Sequence, residues 1–290
     1  MRHLISLPTE AFMAQSSAMR DANPLQLLRS LRRHWHLLLI MSWRDVVGRY
    51  RGSLMGMVWT FVTPLLLLLI YTFVFTVVFK TKWNVETGEQ GKATFAIVLF
   101  VGMIIHGLMA EILTRSPGLM LGNANYVKKV VFPLEILPLT LFLSAFFHFA
   151  ISFCVLLLAM IVLGHPLHLT ILLLPLTLLP IVPMLLGIAW GFAAIGVYLR
   201  DIGHLTGLIS TVLLFLSPIF FPVEALGEPY QQLMALNPLT VIIEQSREVV
   251  LWGRMPDISA LALYSVVSCF LGWCGLVLFQ KGRKGFADVI

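Results

Sequence analysis

One run of 64 consecutive residues, Ile136 to Leu199, contains no Lys, Arg, Asp or Glu. A single helical crossing of a bilayer needs about 20 apolar residues, so this run is roughly three times that length. Three further charge-free runs occupy residues 52–79, 202–223 and 258–280. Only 12% of the chain is charged, against about 25% in soluble domains. The sequence therefore predicts an all-α integral membrane protein.

Six membrane-spanning helices are predicted. Gly164 and Pro166 divide the long run into two spans, because glycine and proline end one helix and reset the next. The second of these spans contains Pro175, Pro180 and Pro183, which predict a bent or broken helix. The six spans are predicted at about 54–79, 93–113, 136–163, 169–199, 205–221 and 258–279.

The distribution of Lys and Arg predicts the orientation. With six spans, one side of the membrane collects 15 of the 20 basic residues, and eight of these precede Gly52. Since cytoplasmic loops carry an excess of Lys and Arg, both termini are expected in the cytoplasm. The chain then divides into a cytoplasmic segment at 1–52, a six-helix membrane domain at 53–280 and a cytoplasmic tail at 281–290.

Three segments outside the predicted spans have distinct patterns. Asn23-Pro24 predicts the start of an amphipathic helix in the headgroup plane, anchored by Trp35 and Trp43, or alternatively an ordinary docking helix. The basic loop 114–133 is either a docking element for a cytoplasmic partner or a plain positive-inside anchor. The outer segment 221–257 predicts short re-entrant helices, one of them at 239–252, or alternatively a surface cap.

Charged and polar side chains inside the spans indicate helix pairing rather than catalysis. Glu111 and Arg115 are one turn apart and predict an ion pair, as do Glu244 and Arg247 in the outer segment. His106 and His148 are expected to bond across helix interfaces or to be functional groups. A small-residue pattern at 187–191 predicts close helix packing. The three cysteines are expected to be small buried hydrophobes.

Two aromatic stripes run along predicted spans at helical spacing. Aromatic faces can stack on sugar rings, although packing or contact with lipid explains them equally well. No phosphate-binding loop occurs in the sequence, and neither a metal-binding nor a catalytic motif is found. We therefore expect no catalytic residues, no metal and no cofactor in this chain. The stripes are Phe142, Phe146, Phe149 and Phe153, and Tyr71, Phe75 and Phe79.

Several motifs in order along the chain resemble one family. They are WRDVVGRYRGSLMG at 43–56, WTFVTPL at 59–65, NYVKKVVFP at 125–133, YLRDI at 198–202, SPIFFP at 217–222 and NPLT at 237–240. Together with six spans they resemble the permease subunits of polysaccharide-exporting ABC transporters of the type-2 exporter class. The resemblance runs from about residue 42 to residue 279. About the first 25 residues of the chain fall outside it and have no assigned role.

The resemblance implies an assembly in the bacterial inner membrane. Two permease copies would pair with two ATPase subunits, which bind ATP and Mg, and would move a lipid-linked polysaccharide outward among membrane lipids; nucleic acid is not a partner. O-antigen is favoured, with capsular polysaccharide or teichoic acid as alternatives. Residues implied in ATPase coupling are Arg44, Arg49, Arg51, Tyr126, Lys128 and Lys129. Those implied in the re-entrant gate region are Pro222, Glu224, Asn237, Pro238, Glu244 and Arg247, and the aromatic stripes become candidates for lining the channel.

Two other classes of function compete with this interpretation. A membrane-embedded glycosyltransferase or acyltransferase would need outward carboxylates and histidines, for which the candidates are Glu224, Glu228, His165 and His168. A secondary transporter would work without an ATPase chain. No series of acidic residues suitable for a proton relay occurs in the predicted spans.

Overall fold

The computed structural model describes residues 24–74, 89–129 and 132–290, and all regular structure in them is helical. The predicted all-α fold is therefore confirmed. The α-helices are α1 (Pro24–Arg33), α2 (Trp35–Arg49), α3 (Trp59–Phe73), α4 (Glu89–Arg115), α5 (Leu119–Gly122), α6 (Ala124–Lys129), α7 (Ile136–Val162), α8 (Leu174–Leu178), α9 (Val182–Tyr198), α10 (Ile202–Leu216), α11 (Glu228–Ala235), α12 (Thr240–Val250), α13 (Ile258–Gly282) and α14 (Phe286–Val289).

Five helical segments of the described residues are long and apolar enough to cross a membrane. The remaining predicted span corresponds to α10, which is apolar but has only 15 residues, shorter than the usual crossing of about 20. Six crossings thus stay a prediction, whereas a multi-pass membrane protein is established. The five segments are Gly56–Phe73, Thr94–Arg115, Ile136–Val162, Leu169–Tyr198 and Ile258–Val289.

Prolines break the fourth of these segments, as predicted. A 3₁₀ turn at Leu169–Leu173 precedes the short helix α8, and a second 3₁₀ turn at Leu179–Ile181 separates α8 from α9. Pro175, Pro180 and Pro183 each stand within the first two positions of one of these pieces. A missing backbone donor does least harm there, because the first turn of a helix leaves its N–H groups without partners.

Helix α4 lies at the centre of the bundle. Every residue from Phe95 to Val101 is buried, and the helix packs against α3, α7, α10 and α12. Helix α3 is at the periphery, with Phe61, Leu69 and Phe73 more than half exposed. An exposed apolar helix of this kind suits a surface that meets lipid or another apolar chain.

Helices α9 and α13 make the most extensive contact among the described helices, and glycine lets their backbones approach closely. A Cβ atom added to Gly187 would lie 2.6 Å from the carbonyl oxygen of Leu271 and 2.7 Å from the Cα atom of Gly272. Small residues let helix backbones approach in this way where lipid gives no hydrophobic drive to associate. The predicted packing role of the 187–191 pattern is confirmed for Gly187.

The two described ends of the chain meet at one end of the bundle, here called the basal end. Ser30 of α1 and Arg283, just after α13, both bond the carboxylate of Glu135 at the start of α7. The opposite, distal end contains the 163–168 connection and residues 217–257. There the hydroxyl of Thr170 donates to the carbonyl oxygen of Val249.

The structure revises two expectations. The predicted N-terminal helix is two helices, α1 and α2, separated at His34. The cysteines are free, but Cys154 and Cys269 are exposed and Cys274 is half-buried, so their expected burial is wrong. Their small apolar side chains face the outside of the bundle, which in a membrane is an apolar environment. Phe75, Phe79 and the side chain of Lys129 lie outside what the structure describes.

Candidate functional site

A cluster of five ionisable side chains joins three helices near the basal end. Glu111 is at its centre, and its carboxylate accepts hydrogen bonds from Arg49 at 2.7 Å and from Arg115 at 2.8 Å. A second nitrogen of Arg115 bonds both carboxylate oxygens of Asp45 at 2.8 Å. We call Asp45, Arg49, Glu111, Arg115 and His148 the charge cluster. The predicted pair between Glu111 and Arg115 is confirmed.

The charge cluster ties α2 to the core of the bundle. Asp45 and Arg49 are in α2, Glu111 and Arg115 in α4, and His148 in α7. The side chain of Glu111 is only 12% exposed, whereas that of Arg49 is 46% exposed. A shielded carboxylate in such a place needs its cationic partners, because a buried unpaired charge is strongly unfavourable.

His148 completes the cluster from α7. Its Nδ1 atom lies 3.0 Å from Oε2 of Glu111 and 3.1 Å from Nη1 of Arg49. Its Nε2 atom is buried and has no hydrogen-bond partner among the described residues. Buried polar atoms normally have hydrogen-bond partners, so His148 is the member of the charge cluster whose bonding capacity is not filled within the described residues. His106, in contrast, bonds the carbonyl oxygen of Ser210 across the interface between α4 and α10, as expected.

A cavity of about 270 Å³ opens beside the charge cluster, between α3, α4 and α7. Arg49, Glu111 and His148 line it together with the hydroxyl-bearing residues Thr63 and Ser152. Tyr50 and Thr60 add two more hydroxyl groups to the lining. Most of the remaining surface is apolar and includes Leu67, Phe100, Met103, Ile104, Leu108 and Phe149. The cavity is therefore amphipathic, with an ionic group on one side and aromatic and aliphatic side chains on the other.

The first aromatic stripe forms a continuous stack along α7. Ring centroids are 6.1 Å apart for Phe142 and Phe146, 5.8 Å for Phe146 and Phe149, and 6.4 Å for Phe149 and Phe153. Phe149 is buried and lines the cavity, whereas Phe146 is 41% exposed. Of the other stripe, Tyr71 packs against the core.

The residues implied in coupling are not all in one place. Arg44 donates to the hydroxyl of Tyr126 at 2.9 Å, and its guanidinium lies 5.7 Å from the centre of that ring. This contact joins α2 to α6. Arg49 belongs to the charge cluster, whereas Arg51 and Lys128 are exposed. A second cavity, of about 420 Å³, lies beside Arg44, Asp45 and Arg115 at the basal end.

Two buried polar side chains, Asn237 and Arg247, connect the helices of the distal region. Asn237 donates to the carbonyl oxygen of Leu216 at 3.0 Å and accepts from the backbone N–H of Leu239 at 2.9 Å. It therefore connects the end of α10 to the approach to α12. The neighbouring Pro238 accepts a hydrogen bond from the hydroxyl of Tyr264 at 2.8 Å.

Arg247 has a role that its spacing from Glu244 did not indicate. Its guanidinium donates to the backbone carbonyl oxygens of Val98, Pro218 and Ile219. Burial lowers the pKa of this guanidinium to about 9, against the opposing influence of Glu244 and Glu224, so it stays charged at neutral pH. Arg247 thereby fixes α12 to α4 and to the turn after α10.

A third cavity, of about 440 Å³, opens at the distal end. Pro222, Glu224 and Glu244 line it together with Arg247. Burial, and secondarily the charge of Glu224, raises the pKa of Glu244 above its ordinary value. Four of the six residues implied in the gate region therefore line one cavity, whereas Asn237 and Pro238 do not. Glu228, proposed for a competing enzyme, is exposed in α11.

Sequence comparisons identify related proteins. The family profile described as ABC-2 type transporter matches residues 36–251. The chain is 26% identical over 268 residues to the O-antigen export system permease protein RfbA of Myxococcus xanthus, an alignment covering 92% of this chain and 100% of that protein. It is 24% identical to the protein of the same name in Klebsiella pneumoniae, over 88% of this chain and 95% of that protein.

A relative with a different described cargo also matches. The polysialic acid transport protein KpsM of Escherichia coli is 24% identical over 237 residues, covering 79% of this chain and 88% of that protein. The profile match covers more than half of the chain and includes the charge cluster, α6 and Arg247. The chain belongs to the ABC-2 type transporter family and is a transporter permease subunit.

Proposed function

We propose that this protein exports a lipid-linked polysaccharide, O-antigen in particular, across the bacterial inner membrane. The observation that carries the proposal is the similarity to the Myxococcus O-antigen export permease along that protein's whole length. The amphipathic cavity and the phenylalanine stack of α7 support it, because apolar ring faces of sugars stack on aromatic side chains. Capsular polysaccharide is the second candidate cargo, supported by similarity to the polysialic acid transport protein.

In the proposed orientation the basal end faces the cytoplasm. The excess of Lys and Arg at both ends of the chain supports this placement. The exposed apolar surface of α2, with Trp35 and Trp43 about half exposed, supports a position in the headgroup layer. Residues 221–257 would then form the re-entrant gate region at the outer face.

The proposed assembly contains two permease copies and two copies of a separate ATPase subunit, where ATP and Mg bind. The exposed apolar side chains of α3 are available to face a second copy across a channel. ATPase movements would enter through α2 and α6, which the Arg44–Tyr126 contact joins. The charge cluster would transmit them to α4 and α7, since a coupled device needs contacts that differ between its two states.

Deletion of the gene tests the cargo and the class of function together. We expect the lipid-linked glycan to accumulate inside the cell while its surface form disappears, and the gene on a plasmid to restore export. Chemical analysis of the accumulated glycan separates O-antigen from capsule. Normal surface glycan in the deletion strain would refute the proposal, as would transport by the purified chain in vesicles without any ATPase.

A second experiment tests coupling through α6. Replacing residues 126–129 with Gly and Ser should stop export and abolish glycan-dependent ATP hydrolysis at unchanged permease abundance. Tyr126→Phe removes only the hydroxyl that Arg44 contacts and should reduce export partially, whereas Tyr230→Phe, an exposed distal tyrosine, is the matched control. Export at the normal rate by the 126–129 variant would refute the coupling role.

A further inference from the structure

We propose that the last eight residues, 283–290, form a C-terminal brace that positions helix α6 for the ATPase subunit. The inference rests on the proposed function, because the position of α6 matters for transport only if the ATPase acts through it. It concerns a part of the chain beyond the matched family profile, which ends at residue 251.

The brace is fixed to the bundle by a buried aromatic residue. Phe286 is fully buried, with its ring centroid 5.5 Å from that of Phe279 and 6.2 Å from that of Tyr198. The hydroxyl of Tyr198 donates to the carbonyl oxygen of Gly282 at 2.8 Å. A Cβ atom on Gly285 would lie 2.7 Å from that hydroxyl oxygen, so a larger residue would push the turn away. This packing is too specific for a tail that merely ends in solvent.

An ion pair provides a second attachment. Arg283 donates to the carboxylate of Glu135 at 3.0 Å, and that carboxylate is only 13% exposed. The other oxygen of Glu135 accepts from the hydroxyl of Ser30, and the backbone carbonyl of Glu135 accepts from the indole N–H of Trp190. The brace is thus connected at one point to α1, α7 and α9.

The brace reaches α6 directly. Helix α14 contacts α6, and Ile290 packs against the same buried cluster as Tyr126 and Val127. Helix α6 has six residues, far below the roughly 12–15 that make an isolated helix even marginally stable in water. Its position must therefore come from tertiary contacts, and the brace supplies part of them on the side facing the bundle.

The opposite side of α6 stays open to a partner. Asn125 and Lys128 are exposed, while Tyr126 faces Arg44. A helix that packs against the bundle on one side and is exposed on the other can bind a partner and transmit the movement of that partner to the bundle. Loss of the brace would remove the contacts from α14 and leave α6 with Arg44, Phe132 and the rest of the buried cluster. We expect α6 then to shift more easily and to transmit less movement to the bundle.

Trypsin cleavage in inside-out vesicles measures how firmly α6 is held. There are two test variants: a chain truncated after Lys284, and the substitution Phe286→Ala. The matched controls are Phe286→Leu and Val289→Ala, and Val289 is 44% exposed in the same helix. Cleavage after Lys128 and Lys129 should accelerate by roughly tenfold or more in the test variants, because local opening follows the loss of buried contacts. Cleavage after Arg51, in another basal segment, should not change.

Export and copurification of the ATPase are measured on the same variants at matched permease abundance. Both should fall in the test variants and remain normal in the controls. Unchanged cleavage at Lys128 and Lys129 after truncation would overturn the brace, and so would an equal rise at Arg51, which would show only a general loss of fold. If the 126–129 replacement itself leaves export intact, the coupling proposal fails; if it stops export while truncation does not, only the brace fails.

Discussion

Removing the charge of Glu111 should destabilise the permease far more than removing an exposed carboxylate. Glu111→Gln keeps the shape of the side chain but leaves Arg49 and His148 without their anionic partner, while Arg115 retains Asp45. Breaking a fully buried ion pair costs about 3–5 kcal/mol. Because Arg49 is 46% exposed and can turn to water, we expect a smaller loss of about 2–3 kcal/mol.

The matched control is Glu248→Gln. Glu248 pairs with Arg254 at 3.6 Å, and the side chain of Arg254 is 73% exposed. A surface pair of this kind contributes about 0–1 kcal/mol. Each 1 kcal/mol corresponds to about 2–4 °C in Tm for chains of this order of size, so we expect a loss of roughly 4–12 °C for Glu111→Gln. The control should change by no more than about 4 °C.

The assay is the loss of the monodisperse gel-filtration peak of detergent-purified protein after heating. A double-mutant cycle sharpens it: Arg49→Gln should cost less in the Glu111→Gln background than alone, because the two share one interaction. Equal shifts for Glu111→Gln and Glu248→Gln would refute the reasoning, since they would show that the charge cluster is as well solvated as the surface.

Three further predictions follow from other parts of the bundle. Gly187→Ala should destabilise by about 1–3 kcal/mol through overpacking against α13, whereas Gly203→Ala, with nothing within 4 Å of the added atom, should be neutral or stabilising in the same thermal assay. Arg247→Lys should lower Tm and surface glycan together, because one ammonium cannot replace the guanidinium fork on three carbonyls; normal values for both would contradict this role. Asp257 caps α13, and its bonds to Ser259 and to the amide of Ala260 lower the pKa of its carboxyl below 3.8. Its stabilising effect is therefore complete above pH 3.8 and is lost as pH falls through the lowered pKa. The protection factor of the Ala260 amide, which is its intrinsic exchange rate at each pH divided by the observed rate, should fall in acid in the native chain and should not change with pH in Asp257→Asn.

The sequence was sufficient to place the long apolar helices because a bilayer leaves few alternatives. A backbone in hydrocarbon must satisfy its own hydrogen bonds, and the length of an apolar run then sets the length of a helix. The span predicted at 136–163 is Ile136–Val162 in the structure. The pair of Glu111 and Arg115 was predictable for the same local reason, since residues four apart share a helix face.

The remainder of the charge cluster depends on how the helices pack. Asp45 is 70 residues from Arg115, and His148 is 37 residues from Glu111. Spacing along the chain shows which side chains share a face of one helix, but not which faces of different helices meet. The polar residues Asp45 and His148 were visible in the sequence, but their partners Arg115 and Glu111 on another helix were not.

Arg247 shows that a sequence can indicate which backbone carbonyls lack a donor without showing which side chain donates to them. Helix α10 ends at Leu216, and the last carbonyls of a helix lack intrahelical donors. Pro218 then follows, so the turn contains one N–H fewer to satisfy them. Buried carbonyls must nevertheless be paired, and Arg247, from the second helix beyond α10, reaches two of this turn and one of α4. Spacing along one helix predicted a pair with Glu244, three residues away, and the structure adds hydrogen bonds to carbonyls 28, 29 and 149 residues away.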